Sequence, residues 1–119
     1  HYRYGSLDLA ELVAYYRMAD VMCVTPLRDG MNLVAKEYAA SRSGDNGVLV
    51  LSEFAGAAQE FRQSLLVNPY DVDGVAETLW KAFHLPPAEE RARMRALRRQ
   101  VQRHDVFRWA RSCIEAIQQ

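Results

Sequence analysis

The sequence predicts an α/β chain with a parallel sheet in its first two-thirds and helices alone at its end. Three observations carry this expectation. Short, nearly all-apolar runs stand at 21–25 (VMCVT), 48–51 (VLVL) and 65–67 (LLV); the first suits a strand buried on both faces of a parallel sheet, the second a buried strand and the third a short strand. Segments with apolar residues at helical spacing lie between and after them. Strand and helix therefore alternate, as in a parallel α/β layer. Three or four strands make half a doubly wound sheet rather than a full one.

Taken in order, residues 2–4 read as the end of a strand. Gly5 and Ser6 turn the chain, and Ser6 is expected to cap a helix over 7–19 with Asp8 in its first turn. Leu9, Leu12, Val13 and Tyr16 recur at helical spacing and give that helix an apolar face. Pro26 ends the strand 21–25. A turn over 27–30 leads into a helix over 32–41, and the cluster Ser43-Gly44-Asp45-Asn46-Gly47 is a second turn. After the strand at 48–51, residues 52–56 form a loop and 57–61 a short helical turn. The strand at 65–67 stops at Asn68-Pro69. Asp71 can cap a helix over 72–85 that buries Val75, Ala76, Leu79, Ala82 and Phe83, and Pro86-Pro87 ends it. A helix over 88–104 and a last one over 106–117 follow, the latter with Trp109, Ala110, Cys113, Ile114 and Ile117 on one side.

At 119 residues the chain is long enough for one small domain and too short for two. Half its residues are apolar, which supports a packed core and argues against disorder. The formal net charge is zero, so bulk electrostatics point to neither a nucleic acid nor a membrane. No apolar run approaches the ~18 residues of a membrane helix, and no signal peptide opens the chain. Cys23 and Cys113 lie far apart without metal-ligand spacing, so both read as core thiols of a reduced, cytoplasmic protein with no metal. The opening His1-Tyr2-Arg3-Tyr4 has no initiating Met, and the chain is expected to be a fragment.

In open α/β sheets, ligands bind outside the carboxyl ends of the strands. Residues 26–32, 52–56 and 68–71 meet that description, though turn residues there also suit ordinary loops. Gly30 stands just before a helix, where backbone amides can approach a ligand without a Cβ in the way. Free amides over 31–34, aligned with the helix dipole, would then favour a phosphate. As a lone glycine it reads equally as a turn residue. Asp29 suits the dipole and could accept hydrogen bonds from sugar hydroxyls. Glu37 could reach a ribose diol from the helix, or belong to a solvated face or an ion pair. Arg28 and Lys36 could be phosphate ligands, and Lys36 fits solvent or an acidic partner as well. Glu53 is a loop carboxylate without a clear role. His104-Asp105 suits a cap between helices, since no nucleophile stands in a strand-turn-helix elbow. Six arginines fall within 91–103, around a narrow apolar stripe of Met94, Leu97 and Val101. Without interleaved aromatics for stacking bases, they read as a solvated or packing face.

The stretch 25–38, TPLRDGMNLVAKEY, followed by VLVLSEFAGAAQEF and LLVNPYD, resembles the C-terminal part of the trehalose 6-phosphate synthases of glycosyltransferase family 20. MRALRRQVQRHDVFRWA resembles that family's closing helices. The resemblance implies the GT-B architecture, two Rossmann-like domains facing each other across a cleft. Residues 1–119 would be the later part of the second, donor-binding domain, and 106–119 a closing helix packed on the absent N-terminal domain. The family transfers glucose from UDP-glucose to glucose 6-phosphate with retention, giving trehalose 6-phosphate and UDP, and needs no metal at the diphosphate.

Carried over by position, the resemblance has Asp29 hold hydroxyls of the donor glucose. Amides at Gly30, Met31 and Asn32 line the sugar, and those of Leu33 and Val34 the diphosphate. Glu37 binds the ribose, and Leu7 contacts the uracil through its backbone. Ala35 and Lys36 complete the donor-binding run. The paired Arg and Lys that clamp the diphosphate, and the whole acceptor site, would lie outside this chain, which alone should lack turnover. A family member with another acceptor, such as a glucosylglycerol phosphate synthase, fits the same residues. So does a non-catalytic nucleotide-binding module, and a homo-oligomer stays open.

Overall fold

A computed structural model describes residues 2–103 and Glu115. Three parallel strands, β1 (Val21–Val24), β2 (Val48–Ser52) and β3 (Leu65–Val67), lie side by side in chain order. Val21 pairs with Val48, and Val50 with Leu65. Around them stand α1 (Leu9–Met18), α2 (Leu33–Ser41), a 3-10 turn at Gly56–Gln59, α3 (Val72–Phe83) and α4 (Pro87–Arg103). The sheet is the partial parallel α/β layer that the sequence predicts.

Side chains alternate across a strand, and the two faces of β2 serve different clusters. Leu49 and Leu51 point into a core with Tyr16, Ala35, Tyr38, Phe61, Met94 and Leu97, which brings α1, α2 and α4 onto one face. Val48 and Val50 point the other way, with Leu65, Val67, Ala82 and Leu85, beneath α3. Every residue of β2 is buried. β1 is not: among the described residues it pairs with β2 alone, and Cys23 is exposed. The expectation that this strand is buried on both faces, with Cys23 in the core, is corrected. α3 packs over β2 and β3, and on that face of β1 Val21 joins the cluster beneath it while Cys23 stays exposed.

Smaller expectations also shift. Residues 2–4 form no strand; Tyr2 and Tyr4 are exposed and no neighbouring strand among the described residues gives them a ladder. α1 begins two residues later than expected because Asp8, not Ser6, caps it, accepting from the Glu11 amide at 2.9 Å. Asp71 caps α3 by accepting from the Gly74 amide, as expected. Ala76 and Phe83, however, are exposed, since α3 meets the sheet through Val75, Leu79 and Ala82. The helix over 106–117, the His104-Asp105 cap and Cys113 lie outside the described residues. Among the described residues, no helix is long and apolar enough to cross a membrane.

Three arginines of α4 are drawn into the fold. Arg95 and Arg98 both reach Asp45 in the 43–47 turn, and Arg93 pairs with Glu89 at 2.9 Å and donates to the Gln63 carbonyl. The Arg98 hydrogen bond, joined by Arg95, holds the Asp45 carboxyl below its usual range.

Two buried phenols set the alkaline limit of this core. Burial pushes Tyr38 up to about 12, and burial followed by the neighbouring Glu37 pushes Tyr16 up to about 12, both from an ordinary 10.0. A group raised on folding lends stability that is complete below its unfolded value and lost as pH rises through the folded one. Melting temperature should therefore show no loss from these groups below pH ~10 and fall between ~10 and ~12. Tyrosinate absorbance followed alongside circular dichroism checks it: these two phenols should ionise together with unfolding.

Candidate functional site

Because the strands are parallel, the segments after β1, β2 and β3 all emerge at one edge of the sheet. The first two are joined there. Asp29 forms a parallel bridge with Ala55, the Gly56 amide donates to the Asp29 carbonyl at 2.8 Å, and the Ala57 amide to the Met31 carbonyl at 2.8 Å. The approach requires glycine at 56, where a Cβ would stand 2.0 Å from the Gly30 carbonyl oxygen. Gly30 itself is different. A Cβ there meets nothing within 4 Å, and its φ lies outside the left-handed region. Among the described residues nothing demands glycine at that position, and its bare backbone faces open space there.

The turn into α2 is held by a relay of side chains. Asp29 Oδ1 accepts from the Met31 amide at 3.2 Å, and Asp29 Oδ2 from Asn32 Nδ2 at 2.9 Å. Asn32 Oδ1 in turn accepts from the Ala35 amide at 2.9 Å. Asn32 sits at φ 75°, a left-handed conformation that asparagine tolerates better than most residues. The expectation of free amides over 31–34 is therefore narrowed: Asp29 takes that of Met31, in the manner of an Asx turn. Leu33 and Val34 lie in the first turn, where the helix supplies no acceptor, and both are exposed. Ala35 is fully buried and its amide belongs to the cap.

Glu37 follows on the same helix, ~6 Å along the axis from Leu33. Its Oε2 accepts from the Tyr16 hydroxyl of α1 at 2.8 Å. Lys36 forms an ion pair with Glu60 at 3.1 Å, the acidic-partner alternative rather than an open phosphate ligand. Arg28 is exposed in the loop, and Leu7 is half-buried ahead of α1. Glu53 is exposed, and its amide donates to the Val67 carbonyl. Phe54 and Tyr70 meet edge to face, 5.8 Å between ring centres, beyond β2 and β3. Among the described residues, no three His, Cys, Asp or Glu side chains gather as a metal site would need.

Sequence reasoning thus locates Asp29 to Glu37 at one helix entrance and misses two contributors. Gly56 carried a signal only as one glycine of a small-residue loop. Tyr16 carried none, since its partner is 21 residues away and the helical spacing marks it as core.

The arrangement is that of an α/β ligand-binding edge: a capped helix N-terminus, an open glycine backbone and two carboxylates. Comparison with known proteins makes the class specific. The model of glycosyltransferase family 20 matches residues 1–119, and the chain belongs to that family. It is 58% identical over 117 residues to a trehalose-6-phosphate synthase of Mycolicibacterium smegmatis, covering 98% of this chain and 23% of that protein. A Mycobacterium leprae trehalose-6-phosphate synthase is 57% identical over the same length, with 24% of it covered. Among solved structures, an alpha,alpha-trehalose-phosphate synthase (UDP-forming) from Burkholderia xenovorans in complex with glucose-6-phosphate superimposes with a TM-score of 0.89. That match is 47% identical and covers 96% of this chain and 26% of the other. A trehalose-6-phosphate protein from E. coli bound with UDP-2-fluoro glucose gives 0.90 at 44% identity, covering 97% and 26%. The chain spans about a quarter of the length of the relatives it matches.

Proposed function

We propose that this chain is the donor-binding part of a retaining glucosyltransferase that moves glucose from UDP-glucose to glucose 6-phosphate, giving trehalose 6-phosphate and UDP. One observation carries the reading: Asp29, Gly30, the Leu33 and Val34 amides and Glu37 share the entrance of one helix at the ligand-binding edge of the sheet. The names of the relatives supply the substrates. On this reading Asp29 holds hydroxyls of the glucose while its own oxygens brace the turn. Gly30, Met31 and Asn32 line the sugar. The Leu33 and Val34 amides, with the helix dipole, neutralise charge on the leaving diphosphate. Glu37 takes the ribose, and Leu7 borders the uracil.

Neither carboxylate is assigned as a nucleophile. Transfer would occur on one face of the sugar, with the leaving phosphate accepting the proton of the acceptor hydroxyl. Catalysis is then positioning and charge stabilisation, without a metal or cofactor. The acceptor site and the partner domain of the cleft belong to other parts of the enzyme, which would work in the cytoplasm.

Thermal melting with and without UDP tests the donor site. A ligand that binds only the folded chain stabilises it by roughly 2.7 kcal/mol at a hundredfold excess over Kd. The native chain should show an upward shift, and Glu37→Ala should remove most of it. A native melt that UDP leaves unmoved would sink the assignment.

A further inference from the structure

Tyr16 belongs to the core of α1. It is 4% exposed, and its ring meets Tyr38 edge-on at 6.3 Å. Its hydroxyl nevertheless leaves the core to donate to Glu37 Oε2 at 2.8 Å. Glu37 is exposed, and among the described residues no other group bonds its carboxylate.

An exposed glutamate samples many rotamers, and fixing one of them costs side-chain entropy. A hydrogen bond from a rigid, buried ring removes part of that cost before any ligand arrives. The choice of donor matters as well. A lysine or arginine would neutralise the carboxylate, whereas a phenol orients it and leaves its charge for the ligand. Burial and the Glu37 charge hold the phenol neutral up to about 12, so it can donate throughout the ordinary pH range. With Oε2 engaged, Oε1 is left for a second partner.

We propose that Tyr16 is a positioning residue for donor binding: its hydroxyl fixes the Glu37 carboxylate so that Oε1 meets the ribose diol of the nucleotide. This rests on the donor-site reading given above. It makes α1, which contributes no proposed ligand contact of its own, part of the nucleotide site.

Calorimetric titration of the 119-residue chain with UDP and with 2′,3′-dideoxyuridine diphosphate tests it. Tyr16→Phe keeps the ring and its packing and deletes only the hydroxyl. It should raise Kd for UDP about fivefold, as for one hydrogen bond to a charged group in a partly exposed place. It should leave the dideoxy ligand unchanged, because that ligand has no diol. In a Glu37→Ala background the same substitution should change Kd for UDP by less than about twofold, since a residue acting only through its neighbour has no effect once that neighbour is gone. If Glu37→Ala weakens UDP and Tyr16→Phe does not, the positioning role is wrong and the donor-site reading stands. If Tyr16→Phe weakens both ligands equally, the hydroxyl supports the fold in general and the proposal is overturned. If the native chain binds UDP and neither substitution matters, or if it binds none, the donor-site reading falls and this proposal with it.

Discussion

The chain carrying Gly56→Ala is expected to lose stability and UDP binding together. A Cβ at 56 would stand 2.0 Å from the Gly30 carbonyl oxygen, 2.6 Å from its carbon and 3.1 Å from the Met31 nitrogen. All three are backbone atoms, and the Gly56–Asp29 and Ala57–Met31 hydrogen bonds hold them in place. The two loops must separate, which breaks those bonds and exposes part of the core at Ala55 and Ala57, both nearly fully buried. Loss of two hydrogen bonds with local unpacking amounts to about 2–4 kcal/mol. For a chain of this size that lowers the melting temperature by roughly 10–20 °C. Gly30→Ala is the matched control. Its Cβ enters open space, so stability should stay within about 0.5 kcal/mol, while UDP affinity falls because the methyl occupies the proposed ligand surface. Differential scanning calorimetry on both variants, with and without UDP, separates the two glycines. A Gly56→Ala chain that melts like the native one would refute the apposition of the loops.

Arg42→Met should be nearly as costly, for a different reason. Arg42 is 4% exposed, and its guanidinium donates to the carbonyls of Tyr16 at 3.1 Å, Arg17 at 2.5 Å and Asn46 at 2.9 Å. The first two are carbonyls at the end of α1, which the helix itself cannot satisfy. Methionine fills similar volume but donates nothing, leaving partly buried acceptors without partners. The expected loss is about 3 kcal/mol or more, since each unsatisfied buried group costs about 1–3. Urea titration should show a lower midpoint with an unchanged slope. UDP affinity should fall as well, because the helix end that carries Tyr16 loses two of the hydrogen bonds that hold it against the end of α2. A midpoint within error of the native value would show that water replaces the guanidinium freely.

Much of the fold is legible before any coordinates. The run at 48–51 is apolar enough to be read as a buried strand and 65–67 as a short strand, although Leu66 is exposed, and Asp71 and Pro86-Pro87 bound α3 correctly to within two residues. What fails depends on coverage rather than on the strand itself. Cys23 sits in as apolar a run as Val50 does, yet only Val50 lies beneath α3. Phe83 is apolar and exposed for the same kind of reason. At the site, the helix entrance was readable because capping and anion binding are local properties of a turn. The closeness of Gly56 to Gly30, and of Tyr16 to Glu37, arises only once α1, α2 and the loop after β2 are packed.

The strand order has a consequence for how the chain is made. β1, β2 and β3 are neighbours in space in the order of their synthesis. Each new strand meets an edge that left the ribosome shortly before it. Among the described residues, no gap between these three strands waits for a later segment. These three strands can therefore be added in the direction of translation, with α2 completed between the first two, while the outer edge of β1 and the newest edge both stay open and need shielding.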